Sequence, residues 1–187
     1  IDPVGGDLVL LELKRYRDSL DTSKTFQLLG ADHHYAVQTG LIGPNLPNHK
    51  TVFTSEGKAY SLAEGQDSLE VKLRAASPDG AKVTKTLTFR RGSYVVDVSH
   101  QIENATSAPI AAHAYFQIAR DGKAPADDKA MLYTFTGAAV YTDQEKFVKV
   151  PFGDIDAEQD ALIEGLDLHV RFVGLDLEEW IALRDRV

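Results

Sequence analysis

Apolar and polar residues alternate with a period of two through most of the first 156 positions, and this pattern favours sheets over helices. Leu69, Val71 and Leu73 alternate with Glu70, Lys72 and Arg74. Successive strand side chains point to opposite faces, so such a run has one apolar face and one wet face. Ser77-Pro78-Asp79-Gly80 follows and reads as a hairpin turn, because Pro presets φ, Asp bonds its own backbone and Gly accepts positive φ. The return run puts Val83, Lys85, Leu87 and Phe89 on one face and Thr84, Thr86 and Thr88 on the other. After Arg91-Gly92-Ser93, the residues Tyr94, Val96, Val98, His100 and Ile102 share a face. Further strands are predicted at Leu8–Leu13, Ile110–Ile118 and Met131–Thr136. A hairpin is predicted at Thr142–Glu145, between Tyr141 and Phe147–Val150. Gly40–Lys50 and Arg120–Lys129 read as long polar loops. Short strands joined by tight turns predict an all-β, mainly antiparallel sandwich or barrel, not βαβ units.

The pattern changes after Asp156. A short strand around His169–Val173 is predicted, then an amphipathic helix in which Asp176 caps and Leu177, Trp180, Ile181 and Arg184 follow helical spacing. The expected organisation is therefore residues 1–156 as a β-sandwich domain and residues 157–187 as an atypical acidic tail. Charge follows the same division. The net charge is −8, and residues 157–187 hold eight acidic against three basic residues. An acidic balance argues against nucleic acid, whose binding draws on Lys and Arg, and against anionic lipid surfaces. With 187 residues the chain can bury roughly 70% of its unfolded surface. It has no cysteine, so disulfides and thiolate metal sites are excluded. No apolar run approaches the length of a membrane-spanning helix, so this segment is not expected to cross a membrane. Ile1 in place of Met indicates a processed or excised chain.

The search for chemistry yields no catalytic, cofactor or metal residues. The six histidines are His33, His34, His49, His100, His113 and His169. None forms a helical HExxH pair, and adjacent His33 and His34 would face opposite sides of a strand. No GxSxG elbow is present. Gly5-Gly6-Asp7 lacks the Lys-Ser/Thr of a phosphate loop and reads as a turn. Acids are plentiful, but none stands out as a glycosidase-type pair.

An ordered set of blocks carries a family pattern. Ile1-Asp2-Pro3-Val4-Gly5-Gly6-Asp7-Leu8 opens it, followed by Phe26-Gln27-Leu28-Leu29, Tyr35 to Leu41 and Tyr60 to Gln66. Lys85 to Val98 comes next, then Tyr133 to Thr142 with Glu145-Lys146-Phe147. In this order they resemble the large periplasmic (P1) domain of the YidC/Oxa/Alb membrane protein insertases of Gram-negative bacteria. The resemblance implies a β-supersandwich of galactose-mutarotase-like type at the periplasmic face of the inner membrane, in a parent protein that is membrane-anchored. It implies no cofactor and no reaction in this segment. It also implies contacts with Sec translocon accessory subunits, and with nascent membrane proteins through the full-length protein. Tyr133, Phe135, Tyr141, Phe147 and Phe152 are the candidate partner-binding residues. Residues 157–187 depart from the pattern, which leaves truncation, a frame shift, a fusion or a divergent ending open. A sandwich short of its later strands would expose an edge and apolar surface unless the tail helix covers it.

Three readings compete on this basis. The first is an accessory protein-binding module. The second is a carbohydrate-binding or mutarotase-like domain, which would need an acid and a base converging on a sugar oxygen. The third is a structural spacer.

Overall fold

A computed structural model of the chain describes residues 1–31, 34–123, 135–144 and 146–152. The regular elements among the described residues are antiparallel β-strands. Residues 1–120 form one compact unit, and the last two strands belong to a second.

The period-two runs become the central sheet of the first unit. Strands β4 (Thr54–Ser55), β5 (Ser68–Ala76), β6 (Lys82–Arg90) and β7 (Val96–Glu103) lie in that order, all antiparallel. β5 and β6 pair in unbroken register from Ser68↔Arg90 to Ala76↔Lys82. The predicted turn at Ser77–Gly80 closes them. Ser77 N–H donates to the Ala81 carbonyl, the Ser77 hydroxyl donates to Asp79, and Gly80 takes a φ of +96°. The apolar face anticipated from alternation is the buried one: Phe53, Val71, Leu73, Leu87 and Val96 form one core cluster, with Leu8, Ala75, Phe89 and Val98 packed on it. Leu41, Leu46 and Val83 form a second cluster, joined by Ile102, Ile110 and Ala112. The threonine face of β6 stays partly wet, which suits β-branched hydroxyl side chains.

Two further antiparallel pairs complete this unit. β1 (Leu11–Arg17) pairs with β2 (Thr25–Leu29), with register shifts along the pair. β3 (Ala36–Ile42) pairs with β8 (His113–Ala119), from Ala36↔Ala119 to Ile42↔His113. Three sequence expectations shift here. The strand predicted at Ile110–Ile118 runs from His113 to Ala119. The first predicted strand begins at Leu11 rather than Leu8, and Leu8 makes only an isolated bridge to Val37. Gly40, Leu41 and Ile42, read as loop, are strand. Gly40 sits there because a Cβ would lie 2.7 Å from the Tyr115 hydroxyl and 2.8 Å from Asn48 Cα, so a glycine inside a strand marks close backbone approach rather than a break.

In the second unit, β9 (Gly137–Thr142) and β10 (Lys146–Pro151) form a hairpin in continuous register, from Lys146↔Thr142 to Pro151↔Gly137. The hairpin was anticipated, with its turn near Thr142–Glu145. Most of the strand predicted at Met131–Thr136 lies outside the described residues, as do the tail strand and helix. Among the described residues, no helix is long and apolar enough to cross a membrane.

Candidate protein-docking surface and a buried polar cluster

Of the residues singled out for partner contacts, Phe135, Tyr141, Phe147 and Phe152 are described, and all four belong to the second unit. Residues that face each other across an antiparallel pair share a face. Tyr141 lies directly opposite Phe147, and Ala139 opposite Lys149, so these four project to one side of the β9–β10 hairpin. Tyr141 is 42% exposed and Phe147 49% exposed. Phe135, half-buried, packs where a Cβ on Gly137 would collide with its ring, and Lys149 Nζ stands 5.1 Å from its centre. Lys146 Nζ lies 5.9 Å from the centre of the Tyr141 ring. Phe152 follows β10 and is half-buried, near Gly122. Tyr133 lies outside the described residues. The hairpin therefore offers aromatic rings edged by ammonium groups, chemistry that suits an apolar protein segment carrying acidic or carbonyl groups.

A different cluster was not singled out from the sequence, although alternation had already placed Lys85 and His100 on the apolar face. Lys85 is 1% exposed. Its Nζ donates to the Gly5 carbonyl at 2.8 Å and the Thr39 carbonyl at 3.1 Å, and lies 5.9 Å from the centre of the Phe53 ring. Burial pulls this ammonium down to about 8, while the nearby Asp7 carboxylate acts in the opposite direction. Asp7 is itself buried, and burial raises its carboxyl above the ordinary value despite the Gln38 amide that donates to Oδ2 at 2.8 Å. Gln38 Oε1 in turn accepts from Gln117 on β8 at 2.7 Å. His100 faces Lys85 across β6 and β7, and burial, with the Lys85 charge second, pulls its imidazole down to about 4. Nearby, the backbone N–H of His49 donates to the Tyr115 hydroxyl at 2.9 Å, which pins the Gly43–Phe53 loop to β8. The signal available in the sequence was a lysine where the pattern calls for Val or Leu.

An acid, an amine and an imidazole in one neighbourhood are the ingredients of proton-transfer chemistry. Here the acid and the amine are sealed from solvent, and a substrate reaches neither unless the covering chain moves. Among the described residues, no group of three or more His, Asp or Glu is placed to hold a metal ion.

The family model for the YidC periplasmic domain matches residues 1–186. The chain belongs to the YidC periplasmic domain family. It is similar to the membrane protein insertase YidC of Dechloromonas aromatica, 48% identical over 155 residues, which cover 83% of this chain and 28% of that protein. It is 47% identical over 158 residues to the membrane protein insertase YidC of Nitrosospira multiformis, covering 83% of this chain and 28% of that one. To the membrane protein insertase YidC of Aromatoleum aromaticum it is 45% identical over 182 residues, 96% of this chain and 31% of the relative. The chain thus spans less than a third of the length of these curated YidC relatives.

Proposed function

We propose that this chain is a non-catalytic, protein-binding module of a membrane protein insertase. It works at the periplasmic face of the bacterial inner membrane and assists insertion and folding of membrane proteins through contacts with Sec translocon accessory subunits. The observation that carries this reading is the family match across residues 1–186, together with relatives named as insertases. The surface chemistry supports it. The exposed Tyr141 and Phe147 pair is the kind of rigid aromatic contact that protein interfaces favour, whereas the acid and amine that could carry proton transfer are buried. The fold likeness to sugar-converting enzymes that the sequence implies is weak warrant for activity.

The test is site-specific photocrosslinking. A crosslinking amino acid replaces Tyr141 or Phe147 in the full-length membrane-anchored protein. The expected product is an adduct with a translocon accessory subunit, missing when the probe stands at Thr86 on the wet face of β6. Equal adducts from all three positions, or none from the hairpin, would remove this surface from the proposal.

A further inference from the structure

Residues 2–8 form a strap across the first unit. The Pro3 carbonyl accepts from Phe53 N–H at 2.8 Å, and Gly5 N–H donates to the Thr51 carbonyl at 2.8 Å. Leu8 and Val37 exchange both of their backbone hydrogen bonds at 3.0 Å. The strap therefore sits between the Thr51–Phe53 segment and β3. Its apolar anchorage is small: Val4 is exposed, and only Leu8 packs against the core. Its deepest tie is polar. Gly5 and Gly6 both hold positive φ, which turns the Gly5 carbonyl toward Lys85. A Cβ on Gly6 would lie 2.6 Å from Leu73 Cδ1 and 3.3 Å from Lys85 Cδ, so the glycine leaves space for the lysine stem.

We propose that Lys85 is a latch: reaching from β6 to Gly5 and Thr39, it holds residues 2–8 on the first unit as a detachable strap that opens before the central sheet does. Three chain segments distant in sequence meet at this one nitrogen. The groups facing it are Asp7 from the strap and His100 from β7. Asp2 and His49 act on the Asp7 carboxyl, and Asp7 in turn on the Tyr115 hydroxyl. A buried ammonium often stabilises a structure less than an apolar side chain of equal volume. Yet removing it takes this donor from two carbonyls and the nearby positive charge from Asp7, which keeps its Gln38 hydrogen bond. The strap is thus held more by polar ties than by apolar burial, and a segment with few buried apolar contacts is where local opening starts.

Hydrogen exchange on the whole 187-residue chain tests this. In Lys85→Met, the amides of Gly5 and Leu8 are expected to exchange at least about tenfold faster than in the parent, while the β5–β6 ladder amides change by less than about threefold. Equal acceleration in both sets, or no change at Gly5 and Leu8, overturns the latch. Where Lys85→Met fails to fold, the unaltered chain is treated with acetic anhydride across a urea series. Lys85 acylation that follows the exchange of Gly5 and Leu8 below the main transition upholds the proposal. Protection of Lys85 until β5–β7 unfold defeats it.

Discussion

The β5–β6 and β9–β10 hairpins are built alike and used differently. Both are antiparallel, in unbroken register and closed by short turns. In the first, alternate side chains of both strands enter a core, and Val71, Leu73, Val83 and Leu87 are buried. In the second, the Tyr141 and Phe147 pair faces out. The difference teaches that alternation specifies a strand and its two faces, while tertiary context decides whether an apolar face meets the protein's own core or something else.

The contrast is sharpest for a large-to-small substitution. Leu87→Ala should destabilise the first unit by about 2–5 kcal/mol, because Leu87 is fully buried among Phe53, Val71 and Leu73. Urea denaturation followed by a probe in residues 1–120 measures this, and a loss under about 1 kcal/mol would mean that the core is looser than its packing indicates.

The next effect is a pH dependence rooted in the first hairpin's sheet. His100 is pulled from 6.5 to about 4, so the unfolded chain binds the extra proton between those values and stability falls on acidification through that window. Lys85 is pulled from 10.5 to about 8, so the unfolded chain again holds the extra proton from pH 8 to 10.5, and stability rises with pH there. Asp7, raised, works the other way at the acid end, its contribution growing as pH falls. Urea midpoints against pH should therefore climb in two steps with a plateau between. His100→Leu should flatten the acid step, and Lys85→Met the alkaline one. A single featureless curve for the parent would contradict the buried placement of both groups.

The smallest effect is expected on the exposed hairpin. Phe147→Ser should change stability by no more than about 0.5 kcal/mol, since the ring is half in solvent. A loss like that of Leu87→Ala would show that the ring is covered in the native state.

Much of the central sheet was legible in the sequence because its pairings are local. Leu69–Leu73, the Ser77–Gly80 turn and Val83–Phe89 are contiguous, so periodicity and turn chemistry suffice. β3 and β8 were not paired in advance, since over 70 residues separate them and nothing in the pattern names a distant partner. Gly40–Ile42 was read as loop because Gly43-Pro44 punctuates the chain just beyond it. The aromatic residues of the hairpin were legible by resemblance. The role of Lys85 was not, although its misfit among Val83, Leu87 and Phe89 was visible. Its partners are two backbone carbonyls, 80 and 46 residues away, and backbone oxygens leave no trace in residue identity.

The span between Gly5 and Lys85 also bears on biosynthesis. Polypeptides grow from the N-terminus at roughly 5–20 residues per second, so Gly5 waits on the order of 4–16 s before the side chain that completes its contact has even been made. During that interval the partners of residues 3–8 at Val37, Thr51 and Phe53 have already been made, and the Lys85 contact is added only once the second strand of the central hairpin is available.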